Sequence, residues 1–321
     1  MAHKVGRGTV AAHGEESTWG TEVARTSASR VYSIEVGREF GHEPIPHLIG
    51  GSANAGLLRA EVFEASERFR AKVRGPAYYE NGALGLLLKH ALGSLTMSGA
   101  GPYASSIVLS STRQTGLSSE FALGDSGKSQ EAYGGKITKL RITCEPGKPA
   151  EYELEAVYKN GAARANTGTI PTIGTSYPIL HKHCGQIGFN SVSYTPRRIT
   201  LEIDIPHTEI QELGSSRVSE PVPSDYVSIS LEAEVVWDGT STLEEAKAAL
   251  TESDCTLTFT DSVNSKTFAI TLQNAYVSDY SMPIGGPAEV AQTVKWRPKA
   301  ASSESGITCA LTGVSEATGL L

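Results

Sequence analysis

The chain contains no run of apolar residues near the ~18 that a membrane-crossing helix needs, and its first residues, MAHKVGRGTVAAHG, lack the apolar centre of a secretion signal. Insertion into a membrane is therefore not expected, and the protein should remain in the cytoplasm after synthesis. Cysteine is scarce. Cys144, Cys184, Cys255 and Cys309 lie far apart and form no CxxC pair, which excludes a zinc knuckle and a dense disulfide framework; reduced thiols are expected. Basic residues are outnumbered, 28 against 35 acidic, for a net charge of −7. A protein that grips nucleic acid by neutralising phosphates needs the opposite balance.

Recognisable catalytic motifs are also missing. Gly124-Asp125-Ser126-Gly127-Lys128-Ser129 resembles the end of a phosphate loop, but the glycine required at position 122 is Ala122, and a polar hairpin loop is expected instead. His181, His183 and Cys184 have no second cluster with which to complete a metal shell. No GxSxG nucleophile elbow occurs. Glu202 with Asp204, or Glu232 with Glu234, has the composition of a glycosidase pair, yet simple alternation along a strand accounts for both. Neither catalysis, a cofactor nor a bound metal is expected.

What the sequence does have is glycine, 33 residues of it, with 39% apolar and 20% charged residues, a balance that suits a soluble β-rich protein with many turns. A length of 321 residues allows about two domains at roughly 150 residues each. Alternation of polar and apolar side chains predicts strands at 31–36, 67–74, 105–111, 118–123, 136–144 and 151–158. Leu84, Leu87, Leu88, Ala91 and Leu92 recur at helical spacing before Gly93, which predicts a helix over 81–92. Residues 39–66 hold Pro44, Pro46, Gly50 and Gly51 together with Ile45, Leu48, Ile49, Leu57 and Leu58. They are expected to form a long apolar loop lying against something.

Residues 160–188 lack periodicity and suggest a connection, after which the order of elements begins again. Strands are predicted at 197–205, 226–236, 254–260, 266–273, 275–282 and 289–297, with a short helix in TLEEAKAALTES. GKPAEYELEAVYK (147–159) aligns without gaps on GGPAEVAQTVKWR (285–297), pairing Tyr158 with Trp296. Lys89-His90-Ala91-Leu92 likewise matches Lys247-Ala248-Ala249-Leu250. Agreement in order, turn and helix points to an internal duplication. The expected division is a first domain over 1–185, with an N-terminal arm and linker, and a second over 186–321. The Ser-, Gly- and Ala-rich stretch after Arg297 is read as a docking arm or a loose end.

The opening segment GRGTVAAHGEESTWGTEVARTSASRVYSIEV, with Glu15, Glu16, Trp19, Gly20 and Thr21 ahead of the first long strand, resembles the start of tail tube proteins of long-tailed bacteriophages. The succession of strand, long loop, strand, helix, GAGPYASSIVL and GGKITKLRITCEPGKPAEYELEAVYK is similar to that family too. The resemblance implies a mainly β fold, here two tandem β-sandwich or barrel domains, each with one flanking helix. It also implies a non-enzymatic virion subunit, assembled in the host cytoplasm, whose inner sheets join around a channel for DNA. Two domains per chain lead to an expected ring of three copies, alternatively six. The implied further partners are tail tip, terminator and tape measure proteins, with passing DNA not specifically bound.

Under that resemblance the alternating strands supply candidate lumen-facing residues: Glu153, Glu155, Glu202, Asp204, Glu232 and Glu234, which would repel phosphate, and Arg68, Arg70 and Lys72, which would make the wall a mosaic with cross-strand ion pairs. Ile45, Leu48, Ile49, Leu57 and Leu58 become candidates for contact with the next ring, their alternative being cover for the chain's own core. The competing functional reading is a virion β-sandwich that binds carbohydrate or acts as an adhesin. A cell-wall hydrolase is a third. Exposed aromatics on one face would favour the carbohydrate-binding reading, but the three tryptophans, Trp19, Trp237 and Trp296, are scattered.

Overall fold

A computed structural model describes residues 9–48, 58–80, 82–112, 114–122, 128–164, 168, 170–171, 173, 177–210, 219–237, 239, 242–283, 290–299 and 306–314; for 39–48, 58–67, 163 and 164 the description covers the backbone only. The first half runs β1 (Val10–Glu16), β2 (Ser27–Arg30), β3 (Ser33–Leu48), β4 (Leu58–Pro76), α1 (Leu84–Leu92), β5 (Gly93–Ser98), β6 (Tyr103–Leu109), β7 (Gly116–Ala122), β8 (Ser129–Cys144), β9 (Glu151–Tyr158) and β10 (Asn160–Arg164). The second half runs β11 (Ile187–Phe189), β12 (Val192–Tyr194), β13 (Pro196–Asp204), β14 (His207–Thr208), β15 (Val222–Pro223), β16 (Ser228–Val236), α2 (Thr242–Ala248), β17 (Ser253–Asp261), β18 (Lys266–Ser281), β19 (Ala291–Arg297) and β20 (Ile307–Val314).

The strands form two layers. One is a continuous antiparallel sheet of eight strands in the order β3–β4–β9–β8–β13–β16–β19–β18. The other layer has two parts: β2–β1–β7–β8–β10, and β12–β11–β17–β18–β20–β6–β5. β8 and β18 belong to both layers. Each turns from one into the other, with register breaks at Ile137/Lys139 and Val277/Asp279, because the extra residue of a bulge bends its strand and lets the sheet change direction.

Side chains from both layers fill the space between them. Leu140, Ile142, Leu154, Leu201, Ile203, Leu231, Val294 and Trp296 point inward from the eight-stranded sheet, while Phe121, Leu257, Phe268, Ile270 and Leu311 meet them from the other layer. α1 is buried almost all round, as a helix enclosed by sheets must be. It stops at Gly93, whose φ of 105° lets its N–H return to the Lys89 carbonyl, and Lys89 lies in the last turn, where a cation suits the helix dipole.

The pairings occur twice. β3–β4–β9–β8 recurs as β13–β16–β19–β18, β1–β7–β8 as β11–β17–β18, and β8–β10 as β18–β20, with α1 and α2 in matching places. The bulges fix the equivalence: Lys139 follows the break in β8 and faces Glu155, as Asp279 follows the break in β18 and faces Lys295. Ala156 therefore corresponds to Trp296, where the sequence alignment pairs Tyr158 with Trp296. A shift of two residues leaves every side chain on its proper face, so sequence alternation cannot detect it. One element breaks the repeat. The β5–β6 hairpin crosses to pair with β20, whereas only residues 249–252 connect α2 to β17.

Several expectations are corrected. Residues 39–48 and 58–66 are not loop; they extend β3 and β4 into a long hairpin pairing Leu48 with Leu58. Pro44 and Pro46 are two residues apart, so both missing N–H groups lie on one side of β3, an edge strand paired only with β4 among the described residues, where proline is tolerated. The stretch after Arg297 is not a loose arm throughout, since Ile307, Cys309 and Leu311 are fully buried and alternate with threonine and alanine along β20. Within 160–188 there is a strand, β10, as well as connection. The strands expected at 266–273 and 275–282 form one, β18.

Candidate assembly surface

One face of the eight-stranded sheet turns inward and is apolar; the other carries charge in columns. β4 contributes Arg68, Arg70, Lys72 and Arg74, the adjacent β9 contributes Glu151, Glu153 and Glu155, and β8 contributes Lys139 and Arg141. β13 follows with Glu202 and Asp204, β16 with Glu232 and Glu234, and β19 with Lys295. The register brings all nine candidate lumen-facing residues, Arg68, Arg70, Lys72, Glu153, Glu155, Glu202, Asp204, Glu232 and Glu234, onto this single face.

Basic and acidic columns are neighbours, and they pair. Lys72 lies 2.7 Å from Glu153 and 3.0 Å from Glu155, and Arg74 lies 2.5 Å from Glu151. Lys139 bonds Glu202 and lies 3.5 Å from Asp204. The bonds to Glu153 and Glu155 raise the ammonium pKa of Lys72, and the bond to Glu202 raises that of Lys139, while the Lys139 bond lowers that of Glu202. Glu209, in the segment following β13, reaches back to Arg68 at 2.8 Å and Arg70 at 3.4 Å. Such exposed pairs are worth about 0–1 kcal/mol each. Their chemical effect matters more here: the face is a near-balanced mosaic, neither a uniform acid wall nor a phosphate-binding stripe.

The two ends of this sheet are open. β3 is paired on one side only, with β4, and residues 276–281 of β18 on one side only, with β19, among the described residues. At these edges Ile34, Val36 and Tyr280 point toward the core but are only partly buried. Nothing in the alternation of these strands marks them as edges, because that property comes from the pairing order. Ile45, Leu48 and Leu58 lie in the β3–β4 hairpin, while Ile49 and Leu57 fall outside the described residues.

The N-terminal residues that carry the resemblance serve as a clamp. Glu16 is buried, and its carboxylate accepts hydrogen bonds from Gly20 N at 2.8 Å, Gly134 N at 2.7 Å and Ser118 Oγ at 2.8 Å. Trp19 Nε1 donates to the Gly134 carbonyl at 3.1 Å, and Lys159 Nζ lies 4.6 Å from the Trp19 ring centre. Glu15 holds Lys89 of α1 at 2.6 Å. Glu16, Trp19 and Gly20 thus tie the N-terminal turn to β7 and β8, and Glu15 ties it to the helix.

The sites set aside on sequence have structural surroundings. His183 Nδ1 accepts from Leu180 N at 3.3 Å and lies 3.2 Å from the Tyr79 hydroxyl, and burial pushes the Cys184 thiol up to about 12. Ala122 faces Ser129 across the β7–β8 hairpin; residues 123–127 lie outside the described residues.

The family model of phage tail tube proteins matches residues 6–298. The chain belongs to the phage tail tube protein family. Comparison with individual curated proteins finds no match. As a tail tube protein it is a structural component of the virion tail, and the clamp and the strand–hairpin–strand–helix succession all fall inside the matched region.

Proposed function

We propose that copies of this tail tube protein close edge to edge into rings, and that the rings stack in the host cytoplasm into a tube that conducts DNA. One observation carries the reading. The sheet of the first half already continues into that of the second through β8–β13, and among the described residues the combined sheet still ends in two unpaired edges. Unpaired edges invite strand addition, and a closed cylinder removes them all.

Three copies of an eight-stranded sheet supply roughly 24 strands. At about 4.8 Å between strands and a tilt near 40°, they enclose a backbone cylinder roughly 50 Å across, which leaves room for a duplex once side chains line the wall. Six copies would give roughly twice that diameter, far wider than DNA requires. The charged face then lines the channel, since the opposite face is the core. Its balance of acid and base among the described residues keeps phosphate adhesion weak, since binding through many phosphates needs an excess of cations. Tail tip and terminator proteins would cap the tube's open ends, with a tape measure protein in its lumen during assembly.

Negative-stain electron microscopy of the concentrated protein tests this proposal. Rings or tubes with a central hole are expected. A protein that stays monomeric at every salt concentration defeats it.

A further inference from the structure

The proposal that rings close edge to edge leaves open which residues meet. Taking that reading as its basis, we infer that the β8–β13 joint inside each chain is a copy of the joint between chains, so that β18 pairs antiparallel with β3 of the next subunit in a predictable register. Within the chain, Leu140 faces Ile203, Arg141 faces Glu202 and Ile142 faces Leu201. The bulges make Tyr280 the counterpart of Leu140, Ser281 of Arg141 and Met282 of Ile142. The ladder β4–β9 matched on β16–β19 makes Val36 the counterpart of Leu201, Gly37 of Glu202 and Arg38 of Ile203. Across the seam, then, Tyr280 faces Arg38, Ser281 faces Gly37, and Met282 faces Val36.

Two observations independent of the ladder agree. In the internal joint Ile199, Leu201 and Leu140 are at most 4% exposed, whereas their edge counterparts Ile34, Val36 and Tyr280 remain partly exposed in the single chain. These side chains lack the cover that a neighbouring strand gives their counterparts. The helices also leave room: α1 packs on β8 without preventing β13 from pairing there, and α2 packs on β18 in the same way. The seam differs from the internal joint in one respect. Inside the chain the β5–β6 hairpin also crosses to β20, and no such hairpin follows α2 to secure the next chain. The seam is held by a single layer.

Cysteine cross-linking reads the register. An added Cβ at Gly37 meets nothing within 4 Å, so Gly37→Cys fits, and residues directly opposite in an antiparallel pair have the Cα spacing a disulfide needs. Oxidation of assembled Gly37→Cys/Ser281→Cys protein should convert most of it to covalent multimers ending at a closed ring, while each single variant and the wild type, with its own thiols, stay uncross-linked. Gly37→Cys/Asp279→Cys, a diagonal pair, should cross-link poorly. Glu35→Cys/Pro283→Cys is a second pair in the same register. Hydrogen exchange on wild-type protein supplies a readout without mutation, with amides of 276–281 and 33–38 gaining protection on assembly. Rings that form while only the diagonal pair cross-links, or while neither edge gains protection, overturn the register and leave the ring intact. Absence of rings under all conditions removes both.

Discussion

Lys266 offers a sharp test of how the two halves are fixed to one another. Its ammonium lies 2.7 Å from the Glu80 carboxylate, with side chains only 6% and 4% exposed, donates to the Gly313 carbonyl at 2.9 Å, and sits 4.7 Å from the Tyr177 ring centre. Glu80 and Tyr177 belong to the first half and Lys266 to the second. Lys266→Met leaves Glu80 charged and buried without this cation, which costs about 3–5 kcal/mol. For a chain of this size that corresponds to a fall of roughly 6–10 °C in the unfolding midpoint, at about 2 °C per kcal/mol. Differential scanning calorimetry of dilute protein reads the shift. Lys266→Met/Glu80→Leu should recover much of it, because replacing both charges by apolar groups leaves no buried carboxylate that has lost this cation. If Lys266→Met melts within a degree of wild type, or the double variant loses the sum of the single losses, the pair is not the lock described.

Acid should weaken the fold through two histidines. Burial, followed by nearby Arg25, lowers His13 to about 4, and burial, followed by nearby Lys89, lowers His90 to about 3. Both folded values lie below the unfolded 6.5, so the unfolded chain binds more protons. Stability is full above pH 6.5 and falls as the pH drops toward 4 and 3, by roughly 5 kcal/mol for the two together at pH 4.5. Urea midpoints at pH 7.5 and 4.5 should differ accordingly, and His13→Gln/His90→Gln should flatten the slope; an unchanged slope contradicts the assignment. Glu16→Ala strands three donors inside the clamp and should cost at least about 3 kcal/mol, read as a lower urea midpoint. Val36→Lys places an ammonium at the half-buried edge and should abolish rings in electron micrographs while the monomer melts within about 2 °C of wild type.

Much of the fold was legible because alternation is a direct record of burial. Leu201, Ile203 and Leu231 turn inward between Glu202, Asp204 and Glu232, so the strands and the charged face could be named from residue order alone. The hairpin of β3 and β4 was not legible, since Pro44 and Pro46 look like breakers until an edge position tolerates them both. β20 was masked by serine, glycine and alanine around a short alternating core of Ile307, Cys309 and Leu311. The repeated order of elements was visible, but an even shift in register preserves facing, so matching Ala156 with Trp296 needed the bulges. Ion pairs such as Lys72 with Glu155 follow from the register. The contact between Glu80 and Lys266 had no local signature, because it joins segments far apart in sequence. The open edges depend on the order of strands in the sheet, which no single strand reveals.

A cryo-electron microscopy reconstruction of the assembled tube tests the central claim most directly. The account predicts three chains per ring, β18 of each hydrogen-bonded to β3 of the next, and a continuous β wall whose channel side carries Lys72, Glu155, Lys139 and Glu202. A wall with this charged face turned outward, or rings in which β3 and β18 stay unpaired, would contradict it.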